Sequence, residues 1–170
     1  MKRLLSFCLI LVLVLVCLYF GWTHFTNRIP GNILTFLEQA DRFELLSLQP
    51  WTADSGRPEP ENDFHRHRIL GKVLVQDQET QKELIAALKK GTEENKTDEA
   101  KCFWPRHGIR ATHKGKTVDL AVCFYCLQME IYTSDDPARK EKLLTSKSPE
   151  AVFDKVLQGA GIPLGKIPGK

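Results

Sequence analysis

The longest apolar stretch of the chain lies at its N-terminus. Residues 4–22 carry no charge and no proline, and only Ser6 and Gly21 interrupt their apolar character. A helix of this length measures about 28 Å, close to the roughly 30 Å hydrocarbon core of a bilayer. Two basic residues precede the segment, and three aromatic residues gather near its other end, as in an interfacial belt. We therefore predict that residues 1–25 form a transmembrane signal anchor.

A cleaved signal peptide is the alternative, because such peptides also begin with basic residues. Their apolar run is usually about 7–15 residues and is followed by small residues, whereas here the run is longer and the exit reads G-W-T-H-F. A lipoprotein-type site at Cys17 is disfavoured because Val16 precedes it. The positive charges before the segment outweigh Arg28 beyond it, so the positive-inside rule favours a single-pass protein with its domain outside the cytosol. The partner expected for residues 4–22 is membrane lipid.

Beyond the anchor, two hydrophobic periods follow each other along the chain. A period of two, typical of strands, predicts them at residues 43–48, 64–75, 108–112 and 117–124, and residues 127–132 continue in the same style. A period near 3.6 predicts a helix at residues 78–90 and a closing helix that begins near residue 149. The order β-β-α-β-β-α predicts an α+β fold of mostly antiparallel strands with two packed helices. The predicted organisation is an anchor (1–25), a stalk (26–42), the α+β domain (43–163) and a flexible tail (164–170).

Local signals place the ends of these elements. Asp77 is a candidate N-cap for the first helix and Gly91 a stop signal at its end. Ser148 is a candidate N-cap for the closing helix, with proline at its first position. Gly71, inside the second strand, predicts a β-bulge or a close approach of backbone. The lysines at positions 140 and 142 are expected in a polar loop.

Charge and motifs argue against several classes of function. The chain has 24 basic and 21 acidic residues, a net charge of +3, and its lysines are scattered, whereas nucleic-acid-binding domains carry a basic stripe. We therefore expect no nucleic-acid partner. No G-x-S-x-G, P-loop, dinucleotide-binding or H-E-x-x-H pattern is present. These absences favour a binding or structural protein over an enzyme.

The cysteines divide into two groups. Cys8 and Cys17 lie in the apolar segment, where a thiol behaves as a small hydrophobe. The other three lie in the polar domain, in the patterns C-x4-H and C-x2-C, which fifteen residues separate. Two such pairs of thiolate and imidazole ligands have the composition of a tetrahedral zinc site. The predicted metal ligands are Cys102, His107, Cys123 and Cys126.

A hairpin register supports this convergence. If the turn at residues 114–115 sets the pairing, the expected partners are Thr112 with Thr117, Arg110 with Asp119, His107 with Val122, and Cys102 with Leu127. The pairing would place His107 beside Cys123 and Cys102 beside Cys126. The parity of the apolar positions also changes between Phe124 and Leu127, which predicts a bulge that brings Cys123 and Cys126 to one side.

Three interpretations of this cluster stay open. Outside the cytosol, three cysteines are typical of one disulfide among Cys102, Cys123 and Cys126 with one thiol left over. The others are a bound metal, with zinc as the candidate, and simple buried packing. A second functional hypothesis is an extracytoplasmic thiol enzyme that uses Cys123 or Cys126 with His107. A thioredoxin-type role is disfavoured because C-F-Y-C lies between two strands and not at a helix N-terminus.

The segments C-F-W-P-R-H-G-I-R and V-D-L-A-V-C-F-Y-C carry a family resemblance. With them the chain resembles small bacterial proteins of unassigned function that have a comparable C-F-x-P-R-H-G-I-R and C-F-x-C core. The similarity covers residues 43–132. It implies a shared fold and no particular activity.

Overall fold

The computed structural model describes residues 27–50, 59–95 and 100–167, so the anchor predicted at residues 1–25 lies outside the described part. Among these residues we number three helices, α1 (Gly31–Glu38), α2 (Gln78–Glu94) and α3 (Glu150–Gly159). The strands are β1 (Arg42–Gln49), β2 (Asp63–Phe64), β3 (His67–Leu74), β4 (His107–His113), β5 (Lys116–Cys123), β6 (Gln128–Thr133) and β7 (Asp136–Leu144). None of the three helices has the length and apolar character needed to cross a bilayer.

All seven strands form one antiparallel sheet in the order β2-β3-β1-β4-β5-β6-β7. The sheet curls, and the β2–β3 hairpin at one edge folds over the middle of the sheet. A Cβ added to Gly108 of β4 would lie 2.9 Å from the Phe64 ring, so a glycine there makes room for the hairpin. The prediction of an α+β fold with antiparallel strands is confirmed.

The core lies between the helices and one face of the sheet. Alternate residues of the central strands β1, β4, β5 and β6 face the helices, as the period of two requires. The largest cluster of buried side chains joins all three helices to the central strands, including Leu37, Phe43, Leu84, Leu88, Ile109, Leu120, Phe124 and Phe153. The opposite, open face carries a small apolar cluster of Leu46, Leu48, Phe64 and Ala121 and many charged side chains. The helices therefore cover one face of the sheet only.

The prediction of a stalk at residues 26–42 is wrong for the residues that the structure describes. Helix α1 lies in this segment, and its Ile33 and Leu37 are buried in the core. Asn27 binds α2 and β7, because its amide donates to the Thr92 carbonyl at 2.9 Å and its Oδ1 accepts from the Leu144 N–H at 2.8 Å. An i, i+4 apolar pair in α1 completes the helix layer, which explains why the segment packs instead of extending away.

The second predicted strand is two strands joined by a tight turn. His65 and Arg66, between β2 and β3, both have positive φ, at 52° and 76°. Two such residues in succession match the turn that suits the right-handed twist of a two-residue hairpin, although Asn-Gly is the usual sequence. The predictions for Gly71 are confirmed. The register shifts beside it, and an added Cβ would lie 2.8 Å from a methyl group of Ile162.

Two helix ends differ from the prediction. Asp77 caps α2 as expected, because its carboxylate accepts from the Glu79 and Thr80 amides. The helix does not stop at Gly91 but continues to Glu94. Gly91 lies against Thr145 and Pro149, where a side chain has no room. Close packing, and not a helix end, therefore explains the glycine at this position.

The start of α3 shifts by one residue. The helix begins at Glu150 with Pro149 as its N-cap residue, and no side chain caps it. The Ser148 hydroxyl donates instead to the Glu94 carboxylate at 2.6 Å, so it joins α3 to α2.

Two segments expected to be irregular are ordered. The segment with Lys140 and Lys142 is the edge strand β7, which pairs with β6 from Lys140 to Leu144 and again at Asp136, with a register shift between. The tail, predicted flexible from residue 164, is attached to the end of β1 as far as the structure describes it. The Gln49 amide donates to the Lys166 carbonyl at 3.0 Å, and the Lys166 N–H donates back to Gln49 Oε1 at 3.1 Å.

Candidate functional site

The β4–β5 hairpin has the register that the sequence predicted. Thr112 pairs with Thr117, Arg110 with Asp119, and His107 with Val122. The last pairing places the His107 side chain on the helix-covered face, because residues paired across two strands point to the same side. Cys123, the next residue along β5, points to the opposite face. The two predicted ligands thus leave the sheet in opposite directions.

Cys123 and Cys126 come together through a turn and not through a bulge. Strand β5 ends at Cys123 and β6 begins at Gln128, and these two residues pair with each other. Leu127, with φ 56°, completes the four-residue turn between them. The Cys126 N–H donates to Cys123 Sγ at 3.0 Å, which fixes the Cys123 sulfur against the backbone of the turn. The predicted convergence of these two cysteines is confirmed, although its cause differs.

Cys102 reaches the same place from the loop before β4. Its thiol donates to Cys126 Sγ, and the two sulfurs are 2.8 Å apart. The Gln128 amide donates to the Cys102 carbonyl at 2.7 Å, and the Trp104 N–H donates to Cys126 Sγ at 3.3 Å. The predicted pairing of Cys102 with Leu127 does not form, because residues 100–106 are a loop. These contacts nevertheless hold Cys102 against the cysteine turn.

Hydrogen bonds join the three cysteines. The Cys102 thiol donates to Cys126 Sγ, and the Cys126 N–H donates to Cys123 Sγ. Burial, and then the hydrogen bond it gives to Cys126, raise the pKa of Cys102 to about 11. The neighbouring Cys123 side chain, together with burial, also raises the pKa of Cys126. Cys123 receives the Cys126 hydrogen bond, which lowers its pKa despite burial. Cys123 is therefore the most acidic of the three.

Exposure distinguishes the three sulfurs. Cys123 is 1% exposed and Cys126 is 0% exposed, whereas Cys102 is half-buried on its loop. The Trp104 and Tyr125 rings stack beside the cluster, with centroids 6.1 Å apart, and Tyr125 is exposed. A reagent from solution therefore reaches the cluster first at Cys102.

His107 belongs to the attachment of α3 and not to the cysteine cluster. Its Nε2–H donates to Asp154 Oδ1 at 2.7 Å, and its ring lies against Phe124 and Phe153. The bond with His107 lowers the Asp154 pKa, although burial of the carboxyl opposes that shift. The adjacent Arg106 binds Glu150 of the same helix at 3.2 Å. Arg106 and His107, which are adjacent in the sequence, thus attach α3 to the sheet.

The four predicted metal ligands therefore do not converge on one point. Within residues 27–50, 59–95 and 100–167, no group of three or more His, Cys, Asp or Glu side chains is arranged to hold a metal ion. Two thiolates on one tetrahedral zinc lie about 3.8 Å apart, given Zn–S bonds of about 2.3 Å. Cys102 and Cys126 are closer than that, and they need only a further approach of less than 1 Å to reach the roughly 2.0 Å of a disulfide. The geometry fits a disulfide better than a zinc site.

Sequence reasoning missed a second cluster, on the open face of the sheet. Asp119 accepts two hydrogen bonds from Arg110, at 2.9 and 2.8 Å, and one from His65 at 2.9 Å. The His65 ring stacks on Tyr132 with centroids 3.6 Å apart, and the Tyr132 hydroxyl donates to Glu130 at 2.5 Å. Only the Arg110–Asp119 pair has a signal in the sequence, because it follows from the hairpin register. Each of these side chains has a hydrogen-bond or stacking partner within the cluster, which is typical of a cluster that stabilises the fold.

No family model matches the chain, and neither the curated proteins nor the solved structures contain a significant match to it. The resemblance to small bacterial proteins with a C-F-x-C core therefore stays a prediction.

Proposed function

We propose that this chain is a membrane-anchored, extracytoplasmic binding or structural module in which a Cys102–Cys126 disulfide fastens the loop before β4 to the β5–β6 turn. The observation that carries the proposal is the 2.8 Å contact between the two sulfurs. Formation of the bond removes two protons and two electrons from the thiols, and a disulfide-bearing oxidant of the extracytoplasmic space accepts them. We call this bond the staple.

The contacts around the staple support a structural role. The Gln128 side-chain amide donates to the Cys102 carbonyl and the Trp104 N–H donates to Cys126 Sγ, so the loop is already held in place and the two sulfurs meet without movement of a strand. A cross-link between residues 102 and 126 closes a loop of about 25 residues, which stabilises a domain by about 3.5 kcal/mol in the chain-entropy model. The staple thus fixes the loop before β4 to the β5–β6 turn.

The positions of the side chains argue against the thiol-enzyme hypothesis. A catalytic cysteine needs a base within hydrogen-bond reach, and His107 is bound to Asp154 on the other face of the sheet. Cys123 and Cys126 are also buried below the surface. A binding or structural role requires neither an accessible nucleophile nor a base.

Fractionation of the full chain tests the anchor. We expect the protein to stay in the membrane pellet after alkaline carbonate extraction, with its initiating methionine present and its domain sensitive to protease added from the extracytoplasmic side. A variant with two arginines in place of Leu11 and Leu13 is the control, because charges at the centre of an apolar helix oppose insertion. Release of the wild-type chain into the supernatant, or loss of residues 1–22, contradicts the anchor.

Peptide mapping tests the staple. The full chain, purified from membranes with an alkylating agent present, is digested without reduction. We expect a disulfide-linked peptide pair that contains Cys102 and Cys126, and its absence from the Cys102→Ser variant. Alkylation of all three domain cysteines in protein isolated this way contradicts the staple. Stoichiometric zinc in the purified protein favours the metal interpretation instead.

A further inference from the structure

The third cysteine of the cluster has no function in the staple, yet it lies in contact with it. Cys123 Sγ accepts the Cys126 N–H at 3.0 Å, and that backbone bond does not depend on the state of the Cys126 sulfur. Cys126 therefore has one neighbouring thiol on each side, Cys102 from the loop and Cys123 from β5. Either neighbour is placed to share a disulfide with it.

We propose that Cys102 is an acceptor site for external disulfides of the glutathione class, and that Cys123 opens this site by exchange with the staple. The inference rests on the proposed function, because the staple is its starting state. It assigns a reaction partner to the cysteine cluster and a separate task to each of the three sulfurs. Cys102 is the entry sulfur, Cys126 the shared sulfur and Cys123 the resolving sulfur.

The first oxidation builds the staple. The Cys102 thiol loses its proton to solvent, in the small fraction that its raised pKa allows, and the resulting thiolate attacks one sulfur of the external disulfide, forms a mixed disulfide and releases one external thiolate. Cys126 then attacks the Cys102 sulfur, the Cys102–Cys126 bond forms, and the second external thiolate leaves. The two protein thiols lose two electrons, and the external disulfide gains them. Entry occurs at Cys102 because the other two sulfurs are buried.

Exchange then returns Cys102 to the thiol state. The Cys123 thiolate attacks Cys126 Sγ, so that the Cys123–Cys126 bond forms, the Cys102–Cys126 bond breaks and Cys102 leaves as a thiolate. No electrons are gained or lost in this step. The C-x2-C turn suits the new bond, because residues three apart in a tight turn have Cα atoms less than about 7 Å apart, within disulfide reach.

The concentration of external disulfide determines which of the two protein disulfides accumulates. Cys102, once free, reacts with a second external disulfide and keeps the adduct, because Cys126 is no longer available to displace it. In the staple state the remaining thiol is Cys123, which is 1% exposed and does not meet the reagent. Excess external disulfide therefore favours the Cys123–Cys126 bond with an adduct on Cys102. The odd number of domain cysteines is what makes this state possible.

The test uses the full chain in detergent with Cys8→Ser and Cys17→Ser, so that only the domain cysteines react. Reduced protein is incubated with excess oxidised glutathione, quenched with acid and mapped by mass spectrometry without reduction. We expect a Cys123–Cys126 disulfide and a glutathione adduct on Cys102. In Cys123→Ala we expect the staple and an adduct occupancy about tenfold lower, because Cys126 displaces glutathione from Cys102 when no exchange follows.

Two outcomes contradict different parts of the scheme. If wild type carries only the staple, with Cys123 reduced and Cys102 without glutathione, the exchange is wrong and the staple stands. If Cys123→Ala forms no staple although its circular dichroism matches wild type, the staple itself is wrong. Cys102→Ser gives a second measure that does not depend on the Cys123 variant. We expect Cys123 and Cys126 to stay reduced and without an adduct in this variant, because both are buried and the entry sulfur is absent. A Cys123–Cys126 disulfide formed without Cys102 contradicts the entry role of Cys102.

Discussion

The Nε2–H of His65 donates to Oδ2 of Asp119 at 2.9 Å, across the open face of the sheet and between residues 54 positions apart in the chain. His65 occupies the turn between β2 and β3, at one edge, and Asp119 lies on β5. The bond forms because the sheet curls and brings the edge hairpin over the middle of the sheet. It also completes the shell of donors around a buried carboxylate.

Loss of the Asp119 charge is expected to destabilise the fold. In Asp119→Asn the Arg110 guanidinium loses its paired acceptor, and we expect the free energy of unfolding to fall by about 2 kcal/mol, a value reduced for the partial exposure of Arg110. Urea denaturation at pH 7 measures the change. The matched control is Asp135→Asn, which breaks an exposed pair with Lys116 and is expected to cost less than about 0.5 kcal/mol.

The pH dependence of the same variant has a definite sign. Burial raises the pKa of Asp119, but hydrogen bonds from His65 and Arg110 outweigh it, and the folded-state pKa lies below the ordinary value. The carboxylate therefore contributes stability above its unfolded pKa of about 3.9, and this contribution disappears as the pH falls through the folded value. The stability difference between wild type and Asp119→Asn should narrow below about pH 4. A difference that is constant from pH 7 to pH 2 contradicts the role of the charge.

His67 is expected to destabilise the protein in mild acid. Burial lowers its pKa to about 4, and nearby Glu130 only partly opposes the shift. The unfolded chain thus binds a proton between about pH 6.5 and pH 4 where the folded protein does not, so stability is complete above 6.5 and falls by about 3 kcal/mol towards pH 4. His67→Gln removes the group that takes up this proton, and with it the loss of stability between pH 6.5 and pH 4. Denaturation curves at several pH values check it. The two proteins should differ by a constant amount above pH 7, and parallel losses between pH 6.5 and 4 contradict the prediction.

The sequence predicts those parts of the site that depend on local pairing. One turn at residues 114–115 sets the register of β4 and β5, so the Arg110–Asp119 pair follows from a count of residues. Likewise, the spacing of Cys123 and Cys126 brings them together in any tight turn. No local signal predicts His65 beside Asp119, because their contact depends on the curl of the whole sheet.

Strand β7 shows a different limit of sequence reasoning. It is an edge strand, and from Asp136 to Lys142 its residues are exposed on both faces, so no alternation of apolar and polar residues marks it. Charged residues are typical of such edges, because they discourage pairing with other chains. The same composition is typical of a loop. The pairing with β6, and not the pattern of β7 itself, makes this segment a strand.

A single substitution tests the attachment of α3 to the sheet through His107. Asp154→Asn removes the charge that accepts from His107 Nε2–H, and we expect a loss of about 1.5–3 kcal/mol, the contribution of a hydrogen bond to a charged group. Lys155→Gln, on the exposed side of the same helix, is the matched control and should change stability by less than about 0.5 kcal/mol. Equal effects of the two substitutions contradict the assignment of His107 to α3.

Two glycines in helices should respond to alanine with opposite signs. At Gly91 an added Cβ would lie 2.6 Å from Thr145 Oγ1 and 2.7 Å from Pro149 Cγ, so Gly91→Ala overpacks the contact of α2 with the start of α3. We expect an overpacking cost of about 1–3 kcal/mol, which exceeds the gain of up to about 1 kcal/mol in helix propensity.

At Gly159, the last residue of α3, nothing lies within 4 Å of an added Cβ. Gly159→Ala therefore keeps only the propensity gain, and we expect it to stabilise the protein by up to about 0.5 kcal/mol, less than in a helix interior. Thermal unfolding of the two variants beside wild type measures both signs. If Gly91→Ala is as stable as Gly159→Ala, the close packing of α2 against Thr145 and Pro149 is wrong, and Gly91 is then better explained as the helix stop that the sequence alone predicts.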